Sequence, residues 1–215
     1  MFYYNRLTGE CIAQPAGFYG TTSLQPPTLE QNQCAIFVND AWQVVPDFRG
    51  VKFYRKGFGN SVSLGLGAVP GADLVTVARP SKFHSWQGDG DGAGWQIDYS
   101  LVRADLLDRV ATFRRTMETA GITVGDVAVD TSRTSQAMLT QAYASLQAGF
   151  IQSVDWKGAD GWHALTKDQV TGLAQAVASH VESCFTKEKN IGLQIAALAD
   201  ESLNTFDIAA AWAAA

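Results

Sequence analysis

Reactive side chains are scarce in this 215-residue chain. It has three histidines and three cysteines, Cys11, Cys34 and Cys184, with no Cys-x-x-Cys spacing among them. An odd, scattered set of this kind excludes a disulfide framework and a thiolate zinc module, and it reads as reduced thiols. Charge is also thin, with 17% charged residues and a net charge of −5. A general nucleic-acid binder needs a basic excess, so that class is excluded. No apolar run approaches the length that spans a bilayer, and no membrane partner is expected. The opening Met1-Phe2-Tyr3-Tyr4-Asn5-Arg6 has no basic-then-apolar leader, so the expectation is a protein made and folded in the cytosol.

What remains is a 47% hydrophobic chain, enough for a packed core and far from a disordered composition. Its charge is uneven. Residues 1–97 carry seven basic and seven acidic side chains, and residues 98–215 carry nine and fourteen, which points to two parts. The fold class expected is α+β, with a small β-rich module over 1–80, a Gly/Asp-rich linker over 81–97, and a mainly helical domain with a short β-hairpin over 98–215.

In the first part, Phe2–Tyr4 and Cys11–Ala13 flank a turn in which Gly9 supplies a positive φ. Residues 14–33, with Pro15, Pro26 and Pro27, read as loop with extended stretches. Cys34–Val38 reads as a strand turned at Asn39-Asp40 into Trp42–Val45, and Val51–Lys56 as another strand. In the second part, Leu106, Val110, Phe113 and Met117 mark a helix ending at Gly121, after which Ile122–Val129 alternates loosely like a strand. Ser132 or Thr134 starts a helix to Leu146, and Ser153–Leu165 reads as a hairpin turning at Asp160-Gly161. Thr166 and Gln169 form a capping box, with Leu165 and Val170 as its hydrophobic staple. Val170, Leu173, Val177, Val181 and Cys184 continue that helix, with a break expected near Asn190–Gly192. A short last helix is expected from Asn204 or Thr205, carrying Ile208 and Trp212.

Candidate catalytic sets each have a simpler reading. Asp89-Gly90-Asp91-Gly92 lacks the ligands of a calcium loop at the fifth and twelfth positions, where Ala93 and Ser100 stand, and reads as linker. His180 and Cys184 stand four apart on a helix, but Cys184 lies on the apolar stripe, so core packing outranks metal binding. Ser61, Ser63 and Ser132 have no nucleophile-elbow context. Asp155, Asp160 and His163 could act as acid and base, but a turn at Asp160 with Trp156 and Trp162 packed across it explains them as well. Neither an enzyme, a cofactor nor a metal is expected.

The densest segment is Trp42-Gln43-Val44-Val45-Pro46-Asp47-Phe48-Arg49-Gly50-Val51-Lys52-Phe53-Tyr54. It has aromatics, a Pro, a Gly and opposite charges, but no nucleophile or base. Asp47 and Arg49 flank Phe48 and can pair on one face. Aromatics beside Arg are what protein interfaces use as anchors, and they equally serve as the core of a small β module. Phe48, Arg49, Lys52, Tyr54, Trp156 and Trp162 are the candidate partner-binding residues.

The run Trp42-x-x-x-Pro46-Asp47-Phe48-Arg49-Gly50-x-x-Phe53-Tyr54, followed by Leu64-Gly65 and Pro70, resembles the N-terminal module of bacteriophage tail-fibre assembly proteins. The later part resembles a helical domain of unknown function found in phage tail neighbourhoods, through Asp130–Ser135, Trp156-Lys157-x-x-Asp160-Gly161-Trp162, Leu165-Thr166 and the Ile208–Trp212 end. The resemblance implies a chaperone in the host cytoplasm. It would help the distal, C-terminal region of a trimeric tail fibre to fold and assemble, and some family members stay on the finished tip. A structural or glycan-binding tip or baseplate component, with Trp156 and Trp162 as sugar platforms, is the alternative.

Overall fold

A computed structural model describes residues 1–125, 127–158 and 161–215. The chain is α+β and divides into two compact units, Met1–Asp98 and Tyr99–Ala215.

The first unit is built from short strands. Strand β1 (Phe2–Asn5) lies between β2 (Cys11–Ile12) and β3 (Tyr19–Thr22). The Gly9 turn has the expected positive φ, 77°. Strand β3 falls inside the segment expected to be loop. It pairs because Gly20 lets the backbone close on Tyr4; a Cβ there would sit 2.3 Å from the Tyr4 ring. Strands β4 (Gln33–Val38) and β5 (Ala41–Pro46) form the expected hairpin through Asn39 and Asp40. Tyr4, Phe37 and Trp42 pack as an aromatic cluster, with Tyr4–Phe37 centroids 4.7 Å apart and Phe37–Trp42 centroids 5.1 Å apart. Strand β6 (Phe53–Arg55) is central between β7 (Ser61–Val62) and β8 (Leu74–Val75).

Residues 81–97 are not a linker. They form a hairpin of β9 (His84–Gln87) and β10 (Gly94–Ile97), with Trp86 directly opposite Trp95 and the rings edge-to-face at 5.5 Å. The Gly/Asp run is only the tip, where Gly88, Gly90 and Gly92 take positive φ. Arg79 ties the hairpin down by donating to the carbonyls of His84 (2.6 Å) and Lys82 (2.8 Å).

The second unit is helical around two hairpins. Helix α1 (Tyr99–Glu118) is followed by β11 (Ile122–Val124) and β12 (Val127–Val129), so the single loose strand expected there is two antiparallel ones. Helix α2 (Arg133–Gln147) starts at Ser132, whose hydroxyl accepts from the Ser135 N–H, and is followed by Gly149 with φ 74°. Strands β13 (Ser153–Gly158) and β14 (Gly161–Thr166) lead directly into α3 (Lys167–Ala197). The capping box is present: the Thr166 hydroxyl accepts from the Gln169 N–H, and Gln169 Oε1 accepts from the Thr166 N–H at 2.9 Å.

Helix α3 has no break at Asn190–Gly192. Ile191 and Ile195 are fully buried, and Leu107 packs where a Gly192 side chain would point. That packing outweighs the roughly 1 kcal/mol a helical glycine costs. A 3-10 turn (Asp200–Thr205) precedes α4 (Ile208–Ala214), so the last helix starts later than expected. Its cap is Asp207, whose carboxylate accepts from the Ala209 and Ala210 N–H groups at 2.9 and 3.1 Å.

One core collects Val129, Leu139, Leu146, Val170 and Val177, with Trp156, Leu165 and Leu173 against it. On α1 the buried face departs from the expected stripe. It runs Val102, Leu106, Val110, then Arg114 and Glu118, leaving Phe113 and Met117 half-buried.

Candidate partner-binding surfaces

Two surfaces carry the candidate residues, one in each unit. In the first, Asp47 and Arg49 do pair. Arg49 Nε donates to Asp47 Oδ1 at 2.8 Å and Nη2 donates to Oδ2 at 2.7 Å. Glu10, from the neighbouring β1–β2 turn, accepts from the same guanidinium at 2.5 Å. Glu10 has no sequence signal, because it is distant along the chain. The hydrogen bonds from Arg49 hold the Asp47 carboxyl down at about 2 and hold Glu10 below its ordinary value. Arg49 therefore fastens the turn to the first sheet.

Phe48 leans on the buried Phe53, with ring centroids 5.8 Å apart and a 67° interplanar angle. Lys52 is exposed, with Nζ 5.7 Å from the centre of the half-buried Tyr54 ring. The remaining cations nearby are engaged: Arg55 with Asp73 at 2.7 Å, and Lys56 with Asp89 at 3.7 Å and over the Trp86 ring. The local positive charge is thus balanced within the unit.

In the second unit, the β13–β14 register sets Trp156 opposite His163 and Lys157 opposite Trp162. Directly paired residues share a face and neighbours alternate, so the two tryptophans point to opposite faces and do not pack across the hairpin. Trp156 joins the core, while Trp162 is 71% exposed beneath Lys157, whose Nζ lies 5.8 Å from its ring. The same alternation sends Asp155 and His163 to opposite faces, which separates that pair; Asp160 lies outside the described residues. A cavity of about 570 Å³ sits beside the hairpin, lined by Trp156, Trp162, His163, Leu165, Val129 and Leu173 among others. Its volume falls in the range of ligand sites.

The other candidate chemistry resolves into structure. His180 Nε2 lies 3.2 Å from the Met117 carbonyl and 3.3 Å from that of Glu118, at the end of α1. Cys184 is buried beside it, and burial pushes its thiol up. No group of three or more His, Cys, Asp or Glu fit for a metal occurs among the described residues. Ser132 is a helix cap whose hydroxyl also donates to Asp130 Oδ2 at 2.7 Å. No helix among the described residues is long and apolar enough to cross a membrane.

A family profile described as Domain of unknown function (DUF4376) matches residues 102–211, half of the chain. The chain belongs to the DUF4376 family. No curated protein and no solved structure matches it. The DUF4376 segment runs from the first turns of α1 into α4, so it takes in both hairpins, the cavity and Trp162. It also contains the feature sequence reasoning missed, the buried cluster in which Arg114 bonds Glu118 and Glu188. The Trp42–Tyr54 segment lies outside the DUF4376 match.

Proposed function

We propose that this protein is a phage tail-fibre assembly chaperone that holds the distal end of a trimeric fibre while its chains fold and register. The observation that carries the reading is how little the first unit buries. Ala35 and Phe53 are its only buried apolar side chains, whereas Phe18, Phe58, Val69 and Val77 are all at least 60% exposed. A 98-residue unit with so small a core and so much exposed apolar surface is suited to covering another protein's surface. Unregistered fibre chains present strand edges and apolar surface that aggregate unless covered. The protein acts in the host cytoplasm during assembly, and Phe48, Lys52 and Tyr54 belong to the gripping surface.

The test is co-expression with the tail fibre encoded beside it. A soluble, trimeric fibre obtained only with this protein is the expected result. Equal trimer yield without it sinks the proposal.

Trp162 supports a second reading. An exposed indole on a hairpin that runs straight into a helix is a suitable platform for a sugar ring, which fits a glycan-binding tip component. Glycan-array binding that disappears in a folded Trp162→Ala variant supports it, and an array with no binding counts against it.

A further inference from the structure

We propose that an extended segment of the partner fibre joins the first unit as an added strand along the free edge of β5, at Trp42 and Val44. This rests on the fibre-binding reading above and names the surface and chemistry of that contact.

Asn39 and Asp40 both have positive φ, 52° and 59°, which makes the β4–β5 connection a two-residue hairpin turn. In such a hairpin Val38/Ala41, Ile36/Gln43 and Cys34/Val45 exchange the ladder bonds. Trp42, Val44 and Pro46 then point their main-chain groups away from β4. Two bonds fix this phase. On the opposite side of β4, the Phe37 N–H donates to the Gly9 carbonyl at 2.7 Å, and on the β5 side the Pro46 carbonyl accepts from Gly67 at 2.8 Å. Among the described residues, the main-chain N–H and C=O of Trp42 and of Val44 have no partner.

The edge is also unguarded. No side chain from Ala41 to Pro46 is charged, and only Pro46, at one end, is a residue that discourages pairing. Edges that must stay open in solution usually carry charge or a bulge. Beside this one is a pocket of about 390 Å³, lined on one side by Val44, Val45, Pro46, Phe48 and Val69 and on the other by Gln31, Asn32 and Gln33. Unpaired main-chain groups next to a side-chain pocket are the two parts of strand addition: the ladder supplies affinity and the pocket selects a side chain. The occupant is therefore an uncharged extended stretch with one neutral side chain for a pocket that offers both apolar and amide walls.

A second copy of this chain fits less well. Antiparallel pairing of Trp42 with its Val44 would set Asp40 against its Pro46, whose carbonyl Gly67 already occupies.

The test uses the full-length protein and the C-terminal region of the neighbouring tail fibre. Val44→Pro removes an outward N–H without removing a β4–β5 ladder bond, although it also fixes φ at 44, and Val44→Thr keeps both the N–H and the β-branched shape. The expected result is at least a tenfold loss of fibre binding for Val44→Pro at unchanged melting temperature, with Val44→Thr close to wild type. In the wild-type complex the Trp42 and Val44 amides gain protection from hydrogen exchange, a readout that decides the matter if Val44→Pro fails to fold. Wild-type affinity of Val44→Pro, or a complex in which those amides stay unprotected, overturns strand addition and leaves the chaperone reading standing. Absence of any wild-type complex overturns both. A wild-type dimer that Val44→Pro converts to monomer assigns the edge to a second copy and overturns the proposal.

Discussion

Arg114 and Glu118 stand one turn apart on α1 and form an ion pair whose side chains are 8% and 2% exposed. Glu118 also receives Arg133 Nη2 at 3.3 Å and Gln136 Nε2 at 3.4 Å, while Arg114 Nε donates to Glu188 at 2.8 Å. The cluster thus joins α1 to α2 and α3. Burial alone would raise the Glu118 carboxyl, but hydrogen bonds from Gln136 and Arg114 and the charges of Arg133 and Arg114 outweigh it and hold it below the ordinary value.

Removing one partner strands the other in a dry place. Glu118→Ala is expected to destabilise the second unit by about 2–4 kcal/mol, because the buried Arg114 is left with the partly exposed Glu188 as its remaining carboxylate, and Arg133 and Gln136 lose their shared acceptor. Chemical denaturation monitored by helical circular dichroism measures this. A loss under about 1 kcal/mol would mean that water reaches Arg114.

Acid should loosen the first unit in a defined window. Asp47 and Glu10 have folded values below their unfolded ones, so their contribution is complete above the unfolded values and fades as pH falls through the folded ones. For Asp47 that span runs from 3.8 down to about 2. Opening of the 42–54 segment, read as hydrogen exchange divided by each amide's intrinsic rate at the same pH, should be flat above about pH 5 and rise steadily below about pH 4. In Arg49→Ala the rise should flatten, since the donor to both carboxylates is gone.

The two hairpin tryptophans should separate cleanly. Trp156 packs on the core, so Trp156→Ala is expected to cost roughly 2–3 kcal/mol, somewhat below a fully buried indole. Trp162→Ala should stay within about 0.5 kcal/mol of wild type. Equal losses by thermal melting would show that the register is wrong.

Gly192 offers a stabilising change. An added methyl would meet Leu107 at 3.6 Å, an ordinary contact, and its backbone is helical. Gly192→Ala should raise stability by about 0.5–1 kcal/mol. A lower melting temperature would indicate strain against α1.

What the sequence made legible was local. The Thr166–Gln169 box, the Asn39-Asp40 turn and the Asp47–Arg49 pair each depend on residues within four positions, and each is present. The failures have longer reach. The Gly/Asp composition hid a hairpin whose stability comes from Trp86 meeting Trp95 and from Arg79. Helical periodicity placed the α1 stripe but could not foresee that its last two buried positions would be charged, because their partners come from α2 and α3. At β13–β14 a one-residue difference in register reversed which face Trp162 occupies, and pattern alone does not set that register.

Thr166 is at once the last residue of β14 and the cap of α3, with no loop between them. The hairpin is therefore joined to its helix without slack. A helix of 31 residues is about 46 Å long, so the strand bearing Trp162 is the end of a stiff rod. A load applied at that indole passes into the helix axis instead of being absorbed by a hinge, and a molecule seated there would find its contact surface already ordered.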